Sequence, residues 1–144
     1  MVARATAPPE ATPARGPRVL IVEDDPGSRW ALCALMGRLG YDCRVATDGR
    51  EALELAGSFA PQAILMDVRL PVLDGLEATR RLKADARTRG IPVLALTGYT
   101  APQRHRAIRR AGCVEVLAKP IVVRELLECL AHHLPGGERA PISP

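Results

Sequence analysis

No run of about 18 apolar residues, the length a helix needs to cross a bilayer, occurs anywhere in the chain. The opening stretch, 1–17, also lacks the apolar core of an export signal, being rich in Ala and Pro with scattered Arg. No membrane segment is therefore expected, and a cytoplasmic location is. The four cysteines, Cys33, Cys43, Cys113 and Cys129, include no Cys-x-x-Cys pair, so neither a zinc site of that type nor a thioredoxin-like redox motif is indicated. Free, mostly buried thiols are the expectation. His105, His132 and His133 show no metal-ligand spacing to these cysteines. A large excess of one charge sign is missing as well: the net charge is +4 and both signs are interspersed, which argues against a dedicated nucleic-acid surface, and no DNA-binding domain is expected. Among the charged residues lysine is rarest, with only Lys83 and Lys119 against eighteen arginines. That scarcity makes the placement of Lys119 informative.

What is present fits one ordinary domain. With 144 residues, 47% of them hydrophobic and 25% charged, the chain supports a single core and leaves no room for a second folded unit. Residues 1–17 and 135–144 are Pro-rich and are expected to be disordered, with the domain running from 18 to 134. Between these limits, short apolar runs alternate with amphipathic stretches, the pattern of β-α units around a parallel sheet. Strands are expected at Val19–Val22, Cys43–Ala46, Ala63–Met66, Val93–Leu96 and Val114–Leu117. The first, third and fourth are nearly continuous apolar runs, as in strands covered on both faces.

The helices carry start and stop signals. Asp25 caps the first, Pro26 takes its first position, Leu32, Leu35, Met36 and Leu39 form its buried stripe, and Gly40 ends it. Asp48 with Glu51 makes a capping-box pattern for the second, and Thr100 with Gln103 for the fourth. The third is expected from about Gly75 to Arg87. The fifth repeats the first's spacing at Val123, Leu126, Leu127 and Leu130, without a good N-cap. Right-handed crossovers then lead to a doubly wound sheet of order 2-1-3-4-5, whose ligand site lies beyond the carboxyl ends of the strands.

Polar groups gather at that rim. The first strand runs into Glu23-Asp24-Asp25, the third into Asp67, the fourth into Thr97, and the fifth is followed by Lys119-Pro120. Taken singly, an acidic run is a solvated loop, a strand threonine is a β-branched strand residue and a lysine is a surface cation. Together they differ, because neighbouring first and third strands crowd Glu23, Asp24 and Asp67, which repel unless a cation or protons compensate. A hard divalent cation, Mg²⁺ before others, suits an all-oxygen site that keeps open positions for a phosphate. Lys119 and the Thr97 hydroxyl are placed to donate to phosphoryl oxygens.

These residues resemble the receiver domains of two-component response regulators. Val-Leu-Ile-Val-Glu-Asp-Asp (19–25) looks like that family's first strand and acidic pair, Met66 to Gly75 like its phosphoacceptor loop, and Ala-Leu-Thr-Gly (95–98) and Ala-Lys-Pro (118–120) like its switch and lysine motifs. The resemblance covers Arg18 to about Leu134. It implies a flavodoxin-like, three-layer (βα)5 fold. It implies that Asp67 takes a phosphoryl group from a histidine kinase or histidine phosphotransferase, with Asp24 and Asp67 on Mg²⁺ directly, Glu23 through water and the Arg69 carbonyl as a further ligand. It further implies that Thr97 senses the phosphate, that Lys119 bonds it and that the Lys119–Pro120 bond is cis. The acyl phosphate is also hydrolysed slowly, so the protein is expected to be a switch rather than an enzyme.

Departures are local. Val116 occupies the position where the family often has an aromatic reporter. Tyr99 and Arg69 are candidate modulators of the pocket, and the helix face of Arg104, His105, Arg106, Arg109 and Arg110 is the candidate surface for a downstream protein. Four readings compete. A single receiver with no output domain leads; the alternatives are the receiver module of a larger hybrid sensor histidine kinase, an aspartyl-phosphate phosphatase, and a degenerate receiver. The phosphatase needs Asp-x-Asp, but Asp67 is followed by Val68-Arg69, and the degenerate receiver needs a missing pocket residue.

Overall fold

The apolar runs fold as a five-stranded parallel sheet in the order 2-1-3-4-5. A computed structural model describes residues 16–98 and 101–134. Tyr99, Thr100, positions 1–15 and the tail 135–144 lie outside the described residues. The elements are β1 (Arg18–Val22), α1 (Pro26–Arg38), β2 (Asp42–Ala46), α2 (Gly49–Ser58), β3 (Ala63–Asp67), α3 (Gly75–Ala84), β4 (Val93–Thr97), α4 (Pro102–Ala111), β5 (Glu115–Ala118) and α5 (Val123–His133).

Because side chains alternate across a strand, the inner strands feed two cores. Val19, Ile21, Leu65, Leu94 and Leu96 pack with Met36 of α1 and Leu126 and Leu130 of α5. Leu20, Val22, Ile64, Met66, Val93 and Ala95 pack on the other face with Ala52, Ala78, Leu82 and Ile108 from α2, α3 and α4. Every residue of β3 and β4 is buried, which explains their unbroken apolar sequence. Fully burying each large aliphatic side chain contributes roughly 1.5–3 kcal/mol, so the central strands are the most firmly held part of the fold.

The helix ends follow local chemistry, with corrections. Asp25 caps α1 by accepting from the Ser28 amide at 2.8 Å, Pro26 occupies the first position, and Gly40 follows the helix at φ 97°, where glycine is unstrained. The buried line of α1 is Cys33 and Met36; Leu32, Leu35 and Leu39 are only half-buried, so the expected leucine stripe is turned partly off the core. Asp48 caps α2 through the Glu51 amide at 2.8 Å, but Glu51 reaches back to the Thr47 amide and hydroxyl rather than to Asp48. The residue before α4 is Ala101, which has no side-chain cap; Thr100, expected in that role, is among the residues not described.

The third helix stops at Ala84 instead of Arg87. Asp85 is extended and its carboxylate takes the Arg87 amide at 2.9 Å, an Asx-type turn that competes with continuation of the helix. Buried Thr88 then donates its hydroxyl to the Leu82 carbonyl at 2.7 Å. In α5, Leu126 and Leu130 are fully buried, whereas Val123 is 39% exposed.

Candidate functional site

Parallel register brings the strand ends to one rim. Val22 lies opposite Met66, Asp67 opposite Leu96, and Thr97 opposite Ala118, so the residues at or just after each strand end share one depression. Glu23, Asp24, Asp25, Asp67, Arg69, Thr97, Gly98 and Lys119 line a cavity of about 580 Å³ there. The sequence-predicted residues Glu23, Asp24, Asp67, Thr97 and Lys119 are thus brought together. Arg69 joins them at the wall. Tyr99 is not among the described residues.

Asp67 terminates β3 and is only 6% exposed. One of its oxygens accepts the Arg69 amide at 2.9 Å and the other the Lys119 ammonium at 2.9 Å. The same ammonium donates to Glu23 at 3.1 Å, and the second Glu23 oxygen accepts the Asp25 amide at 3.2 Å. Burial, aided by the nearby charge of Asp67, holds the Glu23 carboxyl above its ordinary range despite the Asp25 and Lys119 hydrogen bonds. Burial alone lowers the affinity of the Lys119 amine for its proton, but hydrogen bonds and attraction from Asp67 and Glu23 outweigh this and raise it. Lys119 is therefore a firmly protonated cation clasped between two carboxylates.

Its position comes from the backbone. The Lys119 amide donates to the Thr97 carbonyl at 2.9 Å, carrying the β4–β5 ladder one residue past β5, and the Lys119–Pro120 peptide is cis, as the resemblance implied. Thr97 itself is 2% exposed at the cavity wall.

A divalent cation suits this donor set. Glu23, Asp24 and Asp67 each offer an oxygen, and the three oxygens lie within 4.8 Å of one another. Among the described residues, four carboxylates face two cationic side chains in the cavity, so negative charge is left over. Asp24 is exposed at the mouth, where water reaches it. All-oxygen coordination with access for water is what Mg²⁺ prefers.

Three positioning residues were not read from the sequence. The Arg29 guanidinium donates to the carbonyls of Glu23 and Asp24 at 3.1 and 3.2 Å, tying the acidic loop to α1. Asp74 caps α3, one carboxylate oxygen accepting the Leu76 and Glu77 amides at 2.9 and 3.0 Å. Asp74 with Glu77 three residues on was the readable signal. Gly75 lets α3 approach β3, since a Cβ there would collide with the Asp67 carbonyl. Val116 sits half-buried on β5 opposite Ala95, against the core rather than in the cavity.

Comparison with known proteins agrees with this geometry. The family model of the response regulator receiver domain matches residues 19–131. The chain belongs to that family. It is 38% identical over 116 residues to the polar-differentiation response regulator DivK of Brucella anthropi, an alignment covering 81% of this chain and 94% of that protein. Its fold is also similar, at 37% identity and a TM-score of 0.76, to the receiver domain of the sensor histidine kinase PA1611 from Pseudomonas aeruginosa, whose structure has a magnesium ion coordinated in the active-site cleft. That match covers 82% of this chain and 97% of the other. A third similarity, with 25% identity and a TM-score of 0.76 over 82% of this chain and 88% of the other, is to a Saccharomyces cerevisiae co-crystal structure of the histidine phosphotransfer protein Ypd1 and the receiver domain of Ssk1. As a receiver domain, this protein is a module of two-component phosphorelay signalling. Among its described residues no helix is long and apolar enough to cross a membrane.

Proposed function

We propose that Asp67 is the phosphoacceptor of this receiver, taking its phosphoryl group from the phosphohistidine of a histidine kinase or histidine phosphotransferase. The observation that carries the reading is the Lys119 ammonium held between Asp67 at 2.9 Å and Glu23 at 3.1 Å inside an oxygen-rich cavity. In the transfer, an Asp67 carboxylate oxygen forms a bond to phosphorus while the phosphorus–nitrogen bond to imidazole breaks. The Arg69 amide, already bonded to Asp67, keeps the carboxylate oriented. Lys119 then exchanges one carboxylate contact for a phosphoryl oxygen, and the Thr97 hydroxyl supplies a second donor. Mg²⁺ held by Asp24 and Asp67, with Glu23 through water and the Arg69 carbonyl, would supply charge neutralisation during transfer.

The product is a mixed anhydride that water cleaves slowly, so the domain acts as a timed switch rather than as an enzyme on a separate substrate. Phosphorylation changes an interaction surface for a downstream protein, for which the Arg104–Arg110 face of α4 is the candidate; Arg106, Arg109 and Arg110 are exposed there. The Ypd1–Ssk1 complex supports a phosphotransferase as one class of partner. Similarity to DivK along 94% of that protein supports reading the chain as a response regulator. Incubation with Mg²⁺ and acetyl phosphate should label wild type and leave Asp67→Asn unlabelled, as read by intact mass. Equal labelling of the two would remove Asp67 from this role.

A further inference from the structure

The acidic cavity has a basic neighbour. A second cavity, also of about 580 Å³, is lined by Arg69, Arg80 and Arg104 together with Asp24, Asp74 and the apolar loop after β3. Asp24 and Arg69 belong to the walls of both cavities, so the two adjoin. The three guanidiniums come from three separate elements: the β3–α3 loop, α3 and α4. A merely solvated helix face does not produce that convergence. On α4, Arg106, Arg109 and Arg110 are exposed while Arg104 is half-buried at the cavity wall.

Three guanidiniums outnumber the two carboxylates of the lining, Asp24 and Asp74. Asp74 is committed to the N-terminus of α3, where it accepts two amide bonds. Arg80 meets Glu77 at 3.2 Å, but its side chain is 54% exposed, so the pair is weak and leaves further donors of the planar fork available. Guanidiniums so grouped suit a tetrahedral oxyanion, which they bind through paired N–H donors. The electrostatic setting supplies the reason for such a chamber. A phosphoryl dianion approaching Asp67 meets a cavity dominated by carboxylates, and a positive chamber beside it raises the local concentration of that dianion.

We propose that Arg69, Arg80 and Arg104 form an anion-binding vestibule that holds a phosphoryl dianion next to the transfer site. The occupant is either the phosphoryl end of a small phosphodonor before transfer or orthophosphate after hydrolysis. No bond is made or broken in the vestibule. Its use in transfer rests on the assignment of Asp67 as the phosphoacceptor; its affinity for the anion does not.

Two arms test this on the full chain. In the first, orthophosphate is titrated without Mg²⁺ and followed by amide NMR. Shifts are expected around Arg69, Leu76, Arg80 and Arg104 in wild type and in Asp67→Asn, with at least tenfold weaker binding in Arg80→Gln/Arg104→Gln. Shifts confined to Thr97, Gly98 and Lys119, or undiminished binding in the double variant, overturn the proposal. Arg80→Gln alone, at an exposed position, should weaken binding about threefold and serves if the double variant fails to fold. In the second arm, phosphoramidate with Mg²⁺ should phosphorylate the double variant about fivefold more slowly at low donor concentration, with a flattened salt dependence. An unchanged rate alongside lost orthophosphate binding assigns the vestibule to the hydrolysis product. If wild type takes no phosphate at all, the Asp67 assignment fails, and the titration still decides the vestibule.

Discussion

Replacing Lys119 by Met keeps the aliphatic stem and deletes the one charge that spans Glu23 and Asp67, which are 3% and 6% exposed. Removing one partner from a buried charge pair costs roughly 3–5 kcal/mol. The Lys119 side chain is 34% exposed, so solvent screens part of the interaction and the figure is discounted to about 2–3 kcal/mol. For a domain of this size that corresponds to a melting temperature lower by about 10 °C, or a urea midpoint lower by about 1 M.

The deficit should also depend on pH. The Glu23 carboxyl is raised above its ordinary range, chiefly by burial, so the folded protein binds that proton more tightly than the unfolded chain does. Its penalty is therefore fully present above the folded pKa and relieved as pH falls through it. Lys119 opposes that rise, and in K119M the carboxyl moves higher still. The loss of stability should be largest at pH 8 and shrink toward pH 5, and adding Mg²⁺ should recover part of it by binding only the folded state. Urea unfolding of both proteins at the two pH values is the assay. A variant as stable as wild type at pH 8, or a deficit independent of pH, would refute the ion-pair reasoning.

Two further substitutions probe the loop that carries Asp67 into α3. Gly75→Ala should destabilise by about 1–3 kcal/mol, because overpacking against the Asp67 carbonyl outweighs a helix-propensity gain of at most about 1 kcal/mol; a higher melting temperature would contradict this. Val72→Gly should stabilise by about 0.5–1 kcal/mol, since Val72 is 77% exposed at φ 68° and the relief of left-handed strain exceeds the added unfolded-chain entropy. A lower urea midpoint would show that the valine is not strained.

The positions of the inner strands and of the polar residues at their ends were legible because both show in patterns with short reach. Unbroken apolar runs such as Ala63–Met66 mark strands covered on both faces, and Asp67, Thr97 and Lys119 stand just where such runs stop. Capping chemistry was read correctly at Asp25 and Asp48, where a carboxylate precedes a helix and meets an amide close by in the chain. It was misread in α3, where Asp85 turned the chain early, because an aspartate's preference for its own backbone competes with helix continuation and leaves no periodic trace.

What the sequence determined by itself was the identity of the strands, the faces they bury and the polar residues at their ends, since alternation and capping act between neighbours. Only the tertiary structure decided that Lys119 bridges Asp67 and Glu23, that Arg29 ties down the acidic loop, and that Arg69, Arg80 and Arg104 share one chamber. Those contacts join side chains from separate elements. Their distances are set by strand register, by helix packing and by one glycine-tight approach of α3 to β3, none of which is written in any short stretch of residues.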